Sequence, residues 1–141
     1  MTARVFHTAS EEETIALGEQ IARELPSKAV VLLIGNLGAG KTTLAKGIAQ
    51  GLGAVAADEV SSPTFTLIHE YGERVYHIDL YRLDTTAEVA TLGLDEIFDR
   101  DAVALVEWGE RFPELMPPRR IEIRLDPEGE DGRRIAVSTA E

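Results

Sequence analysis

The hydrophobic positions along the chain fall into runs of two kinds, and the first kind predicts strands. Residues 29–34 and 102–106 are continuously apolar and rich in Val and Leu, which is typical of strands buried on both faces of a sheet. Residues 119–125 and 133–138 alternate apolar and polar side chains around a polar turn, which predicts two terminal strands with one face in water. Residues 4–7 predict a further short strand.

The second kind of run has a helical period. Residues 10–13 (SEEE) have the composition of a capping box, and the apolar side chains that follow recur at helical spacing until Pro26 ends the run. Residues 41–52 predict a second helix, closed by the glycine that follows it. Residues 86–92 and 94–98 fit two short helices.

The order of these elements predicts the fold class. Residues 66–71 and 74–79 flank Gly72-Glu73 and predict a β-hairpin. Strand, loop, helix, hairpin, helix and strand in this order predict an α/β fold with a mixed, mostly parallel central sheet flanked by helices. The chain has 141 residues and shows no repeat or long linker, so we expect a single domain that spans residues 1–141.

The most specific chemical signal lies between the first buried strand and the second helix. Residues 35–42 (GNLGAGKT) match in full the phosphate-loop pattern of Gly, four residues, Gly-Lys and Thr or Ser. Glycines let backbone N–H groups point inward as an anion nest, and the helix adds its positive dipole end. Lys41 then reaches the β- and γ-phosphates and the Thr42 hydroxyl binds Mg²⁺. The pattern predicts a P-loop nucleotide hydrolase that uses ATP and Mg²⁺; the plainer alternative is a glycine-rich turn followed by a lysine.

Two acids are candidates to serve the metal. Asp79 ends the second strand of the predicted hairpin, and Glu107 follows the buried strand 102–106. A P-loop needs a carboxylate at the end of a neighbouring strand to hold or orient Mg²⁺. The alternative for each acid is a helix cap or a solvated strand end. The pattern of residues does not decide which acid holds Mg²⁺ and which acts in hydrolysis.

Other residues near these motifs have two interpretations each. The hydroxyl-rich segment 61–66 is either a nucleotide-sensing loop or a turn fixed by Pro63. Trp108 either packs in the core or lies at the mouth of the site as an aromatic contact. No role is predicted for the three histidines, which lack metal-ligand spacing: His7, His69 and His77.

Composition narrows the function classes. The formal net charge is −11, and a chain this acidic is not expected to bind nucleic acid by itself, because phosphate contacts need clustered Lys and Arg. The acidic surface serves solubility or docking on a basic protein partner. Cysteine is absent, which excludes a disulfide framework and a thiol nucleophile. Without a secretory pattern at residues 1–10 or an apolar run long enough to span a membrane, we expect a cytoplasmic protein.

Four motifs in order resemble the TsaE (YjeE) family of bacterial ATPases over essentially the full chain. They are 38–43 (GAGKTT), 62–67 (SPTFTL), 77–83 (HIDLYRL) and 106–108 (VEW). The resemblance implies an ATPase that works with two partner proteins, TsaB and TsaD, in the threonylcarbamoyl modification of adenosine next to the anticodon of certain tRNAs. It implies that ATP hydrolysis cycles this complex rather than transfers the carbamoyl group.

The resemblance also implies roles for individual residues. Thr42 and Glu107 correspond to the Mg²⁺ ligands, Asp79 to the acid needed for hydrolysis and Thr64 to the switch threonine. Thr8 and Arg133, weaker matches, correspond to parts of the nucleoside pocket. The phosphate cradle corresponds to Gly38, Ala39, Gly40, Lys41, Thr42 and Thr43. The chain departs from the family pattern at Asn36, where Asp commonly follows the first glycine, and this affects local charge alone.

Three function classes fit these features. The leading hypothesis is a slow ATPase that acts as an energy-coupling subunit. A small-molecule kinase would use the same loop, but such kinases carry an arginine-rich lid, and no such insertion is obvious in the chain. The third class is a nucleotide-gated binding module without meaningful turnover.

Overall fold

The computed structural model describes residues 3–36, 39–54, 68–72 and 74–140, and these residues form one seven-stranded sheet with helices on both faces. The strands are β1 (Ala3–Thr8), β2 (Ala29–Ile34), β3 (Ile68–Tyr71), β4 (Val75–Asp79), β5 (Val103–Glu107), β6 (Arg120–Glu128) and β7 (Gly132–Ala140). The helices are α1 (Glu11–Glu24), α2 (Lys41–Gly51), α3 (Thr86–Ala90) and α4 (Leu94–Phe98), followed by short 3₁₀ turns at Gly109–Arg111 and Pro113–Leu115.

The sheet has the order β1-β7-β6-β2-β5-β4-β3, with a parallel centre and antiparallel edges. Strands β6, β2, β5 and β4 pair in parallel, whereas β3 pairs antiparallel with β4, and β7 with both β6 and β1. The predicted α/β class, with its mixed sheet, hairpin and C-terminal strands, is confirmed. Because the central strands are parallel, the carboxyl ends of β2, β4 and β5 meet at one edge, where ligands bind in open α/β sheets.

Two apolar layers enclose the sheet. One layer packs α1 and α2 against alternate residues of β2 and β5, such as Val31, Leu33 and Leu105. The other layer packs α3 and α4 against the intervening residues, such as Leu32 and Val106. This alternation follows from the period of two along a strand. The phosphate loop leads into α2, so the strand residues that point toward α1 and α2 are the ones on the side of that loop.

Glycines bring α1 and α2 into close contact. A Cβ atom placed on Gly47 would lie 2.2 Å from the Ile15 carbonyl oxygen, and one on Gly18 would lie 2.7 Å from that of Leu44. Only a residue without a side chain fits at these positions. The crossing fixes the start of α2 relative to the start of α1.

Several boundaries differ from the predicted ones. Strand β7 begins at Gly132, before its predicted start. Strand β6 continues to Glu128, beyond its predicted end, although it contains Pro127. Proline is tolerated there because residues past Arg124 pair with β7 alone, so their other edge needs no N–H donor. The helix predicted over residues 86–92 ends at Ala90. In the described part of the chain, no helix is both long and apolar enough to cross a membrane.

Candidate functional site: a phosphate loop at the strand ends

The phosphate loop lies between β2 and the N-terminus of α2. Gly40 is the N-cap of α2 and has φ = 97°, a left-handed conformation that favours glycine. No side chain caps this helix, so the N–H groups of its first turn stay available to an anion at the positive end of the helix dipole. Ala39 is buried, and its N–H donates to the Asn36 carbonyl at 3.0 Å. Thr42 and Thr43 lie half-buried in the first turn of α2. Gly38 falls outside the described residues.

Lys41 is a buried cation at the start of α2. Its side chain is only 4% exposed, and its Nζ has no hydrogen-bond partner within the part of the chain that is described. The Nζ lies 3.7 Å from the centroid of the Trp108 ring, a cation–π geometry. Burial lowers the pKa of this ammonium, although the carboxylates of Glu107, Glu110 and Asp79 act in the opposite direction. Because its Nζ has no acceptor among the described residues, Lys41 is suited to donate hydrogen bonds to an anion.

The two strand-end acids lie side by side. Asp79 and Glu107 are register partners in the parallel pair of β4 and β5, as expected for neighbouring strands that end at the same edge. The N–H of Tyr81 donates to Asp79 Oδ1 at 2.9 Å. Burial raises the pKa of the Asp79 carboxyl, opposed by that N–H and reinforced by the negative charge of Glu107. Both acids are therefore at one site with Lys41.

His77, for which the sequence predicts no role, is a neighbour of these acids. Its Nε2 lies 2.5 Å from Glu107 Oε2, and both side chains are buried. Its Nδ1 has no hydrogen-bond partner in the described ranges. The available signal was the strand period: residues two apart on a strand share a face, so His77 and Asp79 point to the same side of β4.

Trp108 forms the wall of the site, so both interpretations of this residue hold in part. It packs against the α3–α4 layer while its ring contacts Lys41 on one side and Tyr81, with a centroid distance of 5.3 Å, on another. Its φ of 69° is unusual for a residue with a side chain and costs roughly 1–3 kcal/mol. Arg111 donates to the carbonyls of Tyr81 and Leu83, which ties the loop after β4 to the turn that follows Trp108.

Glu110 is a second residue at the site that the sequence does not predict. It lies in the 3₁₀ turn that follows Trp108, and its Oε1 is buried without a hydrogen-bond partner among the described residues. The negative charge of its carboxylate raises the pKa of the Lys41 ammonium, against the effect of burial. Nothing in the sequence distinguished this glutamate from the many on the surface.

A pocket of about 160 Å³ adjoins the phosphate loop on the α1 side. Its lining consists of Glu11, Thr14, Gly40, Thr43, Asp131 and Arg133. The Nε atom of Arg133 lies 3.1 Å from the position that a Cβ on Gly40 would take. Thr8, the register partner of Arg133, bonds through its hydroxyl to that of Thr14 at 2.7 Å. The fold thus brings Thr8 and Arg133 together beside the loop.

The arrangement fits a Mg²⁺–nucleotide. Mg²⁺ in such sites takes one or two carboxylates, a hydroxyl, waters and phosphate oxygens, and this site offers Thr42, Asp79 and Glu107. The described residues contain no cluster of three or more His, Cys, Asp or Glu that could hold a metal by itself. Thr64 and the segment 61–66 lie outside the described residues, so their predicted roles stay predictions.

Comparisons with known proteins identify the family. The model of the family described as "Threonylcarbamoyl adenosine biosynthesis protein TsaE" matches residues 8–135. The tRNA threonylcarbamoyladenosine biosynthesis protein TsaE of Bacillus subtilis is 43% identical over 136 residues, which covers 94% of this chain and 84% of that protein. The protein of the same name from Treponema pallidum is 37% identical over 131 residues, covering 92% of this chain and 96% of that one.

A solved structure agrees with these sequence matches. The crystal structure of Bacillus subtilis YdiB has a TM-score of 0.79 with this chain at 37% identity, covering 99% of this chain and 86% of YdiB. The resemblance inferred from four short motifs is confirmed over nearly the whole sequence. The chain belongs to the TsaE family of threonylcarbamoyl adenosine biosynthesis proteins.

Proposed function

We propose that the protein binds ATP and Mg²⁺ at the phosphate loop and hydrolyses ATP slowly, as a subunit required for the threonylcarbamoyladenosine modification of tRNA. In this proposal, turnover cycles a complex of TsaB-like and TsaD-like proteins. Family membership supports the role in the pathway. The observation that carries the ATP-binding part is the buried Nζ of Lys41, which has no hydrogen-bond partner among the described residues and lies at the start of α2 near the strand-end acids.

The phosphates of ATP fit the anion half of the site. Residues 38–43 supply backbone N–H groups, and Lys41 turns from the Trp108 ring to the phosphate oxygens. The move replaces a cation–π contact with charge-assisted hydrogen bonds to phosphate, which the indole face cannot offer. It is therefore expected to be favourable for the buried ammonium.

The acids divide into two roles by their surroundings. Glu107 is buried and held by His77, so it suits a rigid metal ligand together with the Thr42 hydroxyl. Asp79 is less enclosed and one of its oxygens already accepts the Tyr81 N–H, so the other suits the attacking water. Bound Mg²⁺ neutralises charge that develops on the phosphate oxygens.

The pocket beside Arg133 suits the nucleoside. It continues from Gly40 and Thr43, at the end of the phosphate cradle, toward the start of α1. Arg133 closes the pocket over the loop, and the hydroxyl pair of Thr8 and Thr14 fixes the turn below it. We assign Thr8 and Arg133 to nucleoside binding on this basis.

Partner binding is proposed to follow the nucleotide state. Thr64 would sense the γ-phosphate and change the surface that a TsaD-like and TsaB-like pair contacts. The chain alone is expected to bind tRNA negligibly, since its net charge is −11.

The test measures phosphate release by the chain alone and with the protein pair, and the affinity of the pair with ATP, ADP or no nucleotide. We expect slow release alone, altered release with the pair, and partner affinities that differ among the three states. Equal affinities would contradict the coupling role. Transfer of the γ-phosphate to a metabolite would favour a kinase, and tight binding of labelled tRNA at moderate salt would contradict the expected lack of nucleic-acid binding.

A further inference from the structure

The pair formed by His77 and Glu107 is the most enclosed polar contact at the site. The two side chains are 1% and 5% exposed, and Nε2 lies 2.5 Å from Oε2. The contact crosses from β4 to β5, yet the register partner of His77 is Leu105, two residues before Glu107. The imidazole therefore leans along the sheet toward the end of β5 to reach the carboxylate.

The position of His77 is an unfavourable one for a residue that only fills space. Its Nδ1 is buried without a partner in the described parts of the chain, and an unpartnered polar atom is a burden that an apolar side chain would avoid. Its neighbours on the same layer, Leu33 and Leu105, are apolar. Among the described residues, the imidazole has one hydrogen-bond partner, the Glu107 carboxylate, so we expect its role at that carboxylate.

We propose that His77 is a positioning residue that orients the Glu107 carboxylate for the metal ion, an inference that rests on the proposed function. Since a carboxylate that binds Mg²⁺ is ionised, Nε2–H of the imidazole is the donor and Oε2 the acceptor. One oxygen is thereby fixed, and Oε1 is left to face the cation at the strand ends. Polar partners behind a ligand restrict its rotation in this way and support metal affinity without touching the ion.

The experiment compares two amides that differ in reach. In His77→Gln the amide nitrogen can take the place of Nε2, whereas in His77→Asn it stops near Nδ1 and cannot reach Oε2. We expect His77→Asn to weaken the binding of Mn²⁺, followed by electron paramagnetic resonance in the presence of ADP, by roughly 10- to 100-fold. ADP binding in EDTA should stay at the wild-type level, and His77→Gln should retain most of the metal affinity.

Controls separate positioning from packing. Leu105→Ala removes an equally buried side chain of the same layer, so it lowers the melting temperature without changing Mn²⁺ affinity in the folded protein. Equal affinity in His77→Asn and the wild type, or equal losses in the Asn and Gln variants, would overturn the proposal. If His77→Asn does not melt cooperatively, His77→Gln decides alone, because a loss of metal affinity in that variant overturns the proposal and retention supports it. A wild-type protein whose ADP binding ignores the metal would instead overturn the proposed function.

Discussion

Both faces of the sheet bury apolar side chains, but the buried polar side chains are divided unequally between them. On the α3–α4 face the enclosed residues are apolar or aromatic, such as Ile78, Phe98 and Met116. The buried polar or charged residues, among those described, belong to the α1–α2 side and the adjoining strand ends. These are Thr8, Thr14, Lys41, His77 and Glu107. The α3–α4 face thus encloses apolar and aromatic side chains, whereas the α1–α2 face encloses polar groups in addition to its apolar ones.

A second contrast, between one edge of the sheet and the rest, concerns buried atoms without partners. Within the described residues, the buried side-chain atoms that lack a hydrogen bond are Lys41 Nζ, His77 Nδ1 and Glu110 Oε1. The three residues lie near the carboxyl ends of β4 and β5. The charges of Glu110 and Glu107 both raise the pKa of Lys41, and His77 is bonded to Glu107. Each such atom costs about 1–3 kcal/mol of stability. Their concentration at one edge indicates a site whose partners arrive with a ligand.

The largest expected effect comes from removal of the cation. We expect Lys41→Met to abolish ATP hydrolysis, because it removes the ammonium that is proposed to bind the β- and γ-phosphates. The melting temperature should stay equal or rise, because the net surroundings disfavour the charge and Met fills a similar volume. Phosphate release and thermal melting are measured together.

Lys46→Met is the matched control for this variant. Lys46 lies on the same helix away from the strand ends, so its loss should leave hydrolysis unchanged. Normal hydrolysis by Lys41→Met would remove the assignment of the loop. A marked drop in its melting temperature would show that Lys41 stabilises the fold.

Asp79 and Glu107, side by side at the ends of β4 and β5, provide the next contrast. Glu107→Gln should weaken nucleotide binding in Mg²⁺ more than in EDTA, because it removes the charge of a metal ligand. Asp79→Asn should bind Mg²⁺ and nucleotide normally and lose turnover, the pattern of a group that acts mainly in hydrolysis. Calorimetry with a non-hydrolysable ATP analogue, with and without metal, distinguishes them. The reverse pattern would exchange the two roles.

The apolar face should respond in stability alone. Ile78 is fully buried between His77 and Asp79 in sequence but faces α3 and α4. Ile78→Ala should lower the free energy of unfolding by about 2–5 kcal/mol, since it leaves a cavity. Nucleotide affinity at a temperature where the variant is folded should equal that of the wild type. A large loss of affinity would mean that the two faces are not independent.

The sequence predicts this contrast only in part. Buried strands, α2 and the phosphate loop have strong local patterns, and the edge where Asp79 and Glu107 meet follows from parallel strands. The contact between His77 and Glu107 depends instead on the register of β4 and β5, 30 residues apart along the chain. A single histidine carries no spacing signal, so nothing in the sequence assigned it a partner.

The nucleoside side of the site shows the same limit. Thr8 and Arg133 become neighbours only when β1, at one end of the chain, pairs with β7 at the other. Family resemblance named both residues, but only the sheet explains why they lie together. Local patterns therefore predict elements and loops, whereas contacts between distant strands complete the site.

The smallest expected effect belongs to a charge on the apolar side of the sheet. Glu88 closes a capping box with Thr85 at the start of α3, and the N–H groups of Asp84 and Thr85, with the Thr85 hydroxyl, hold the pKa of its carboxyl below the ordinary 4.5. A carboxyl with a lowered folded-state pKa stabilises the protein above its unfolded pKa, and this contribution is lost as the pH falls through the folded value.

Glu88→Gln isolates the charge, because glutamine at this position still accepts the same bonds. We expect the variant to melt slightly below the wild type at neutral pH and the difference to vanish as the pH falls from about 6 to about 3. Nucleotide binding should be unchanged throughout, since the hydrogen bonds of the Glu88 side chain are to Asp84 and Thr85 at the start of α3. A melting difference that persists at the acid end would assign the effect to the shape of the side chain. A change in nucleotide affinity would join the α3 cap to the site and weaken the division between the two faces.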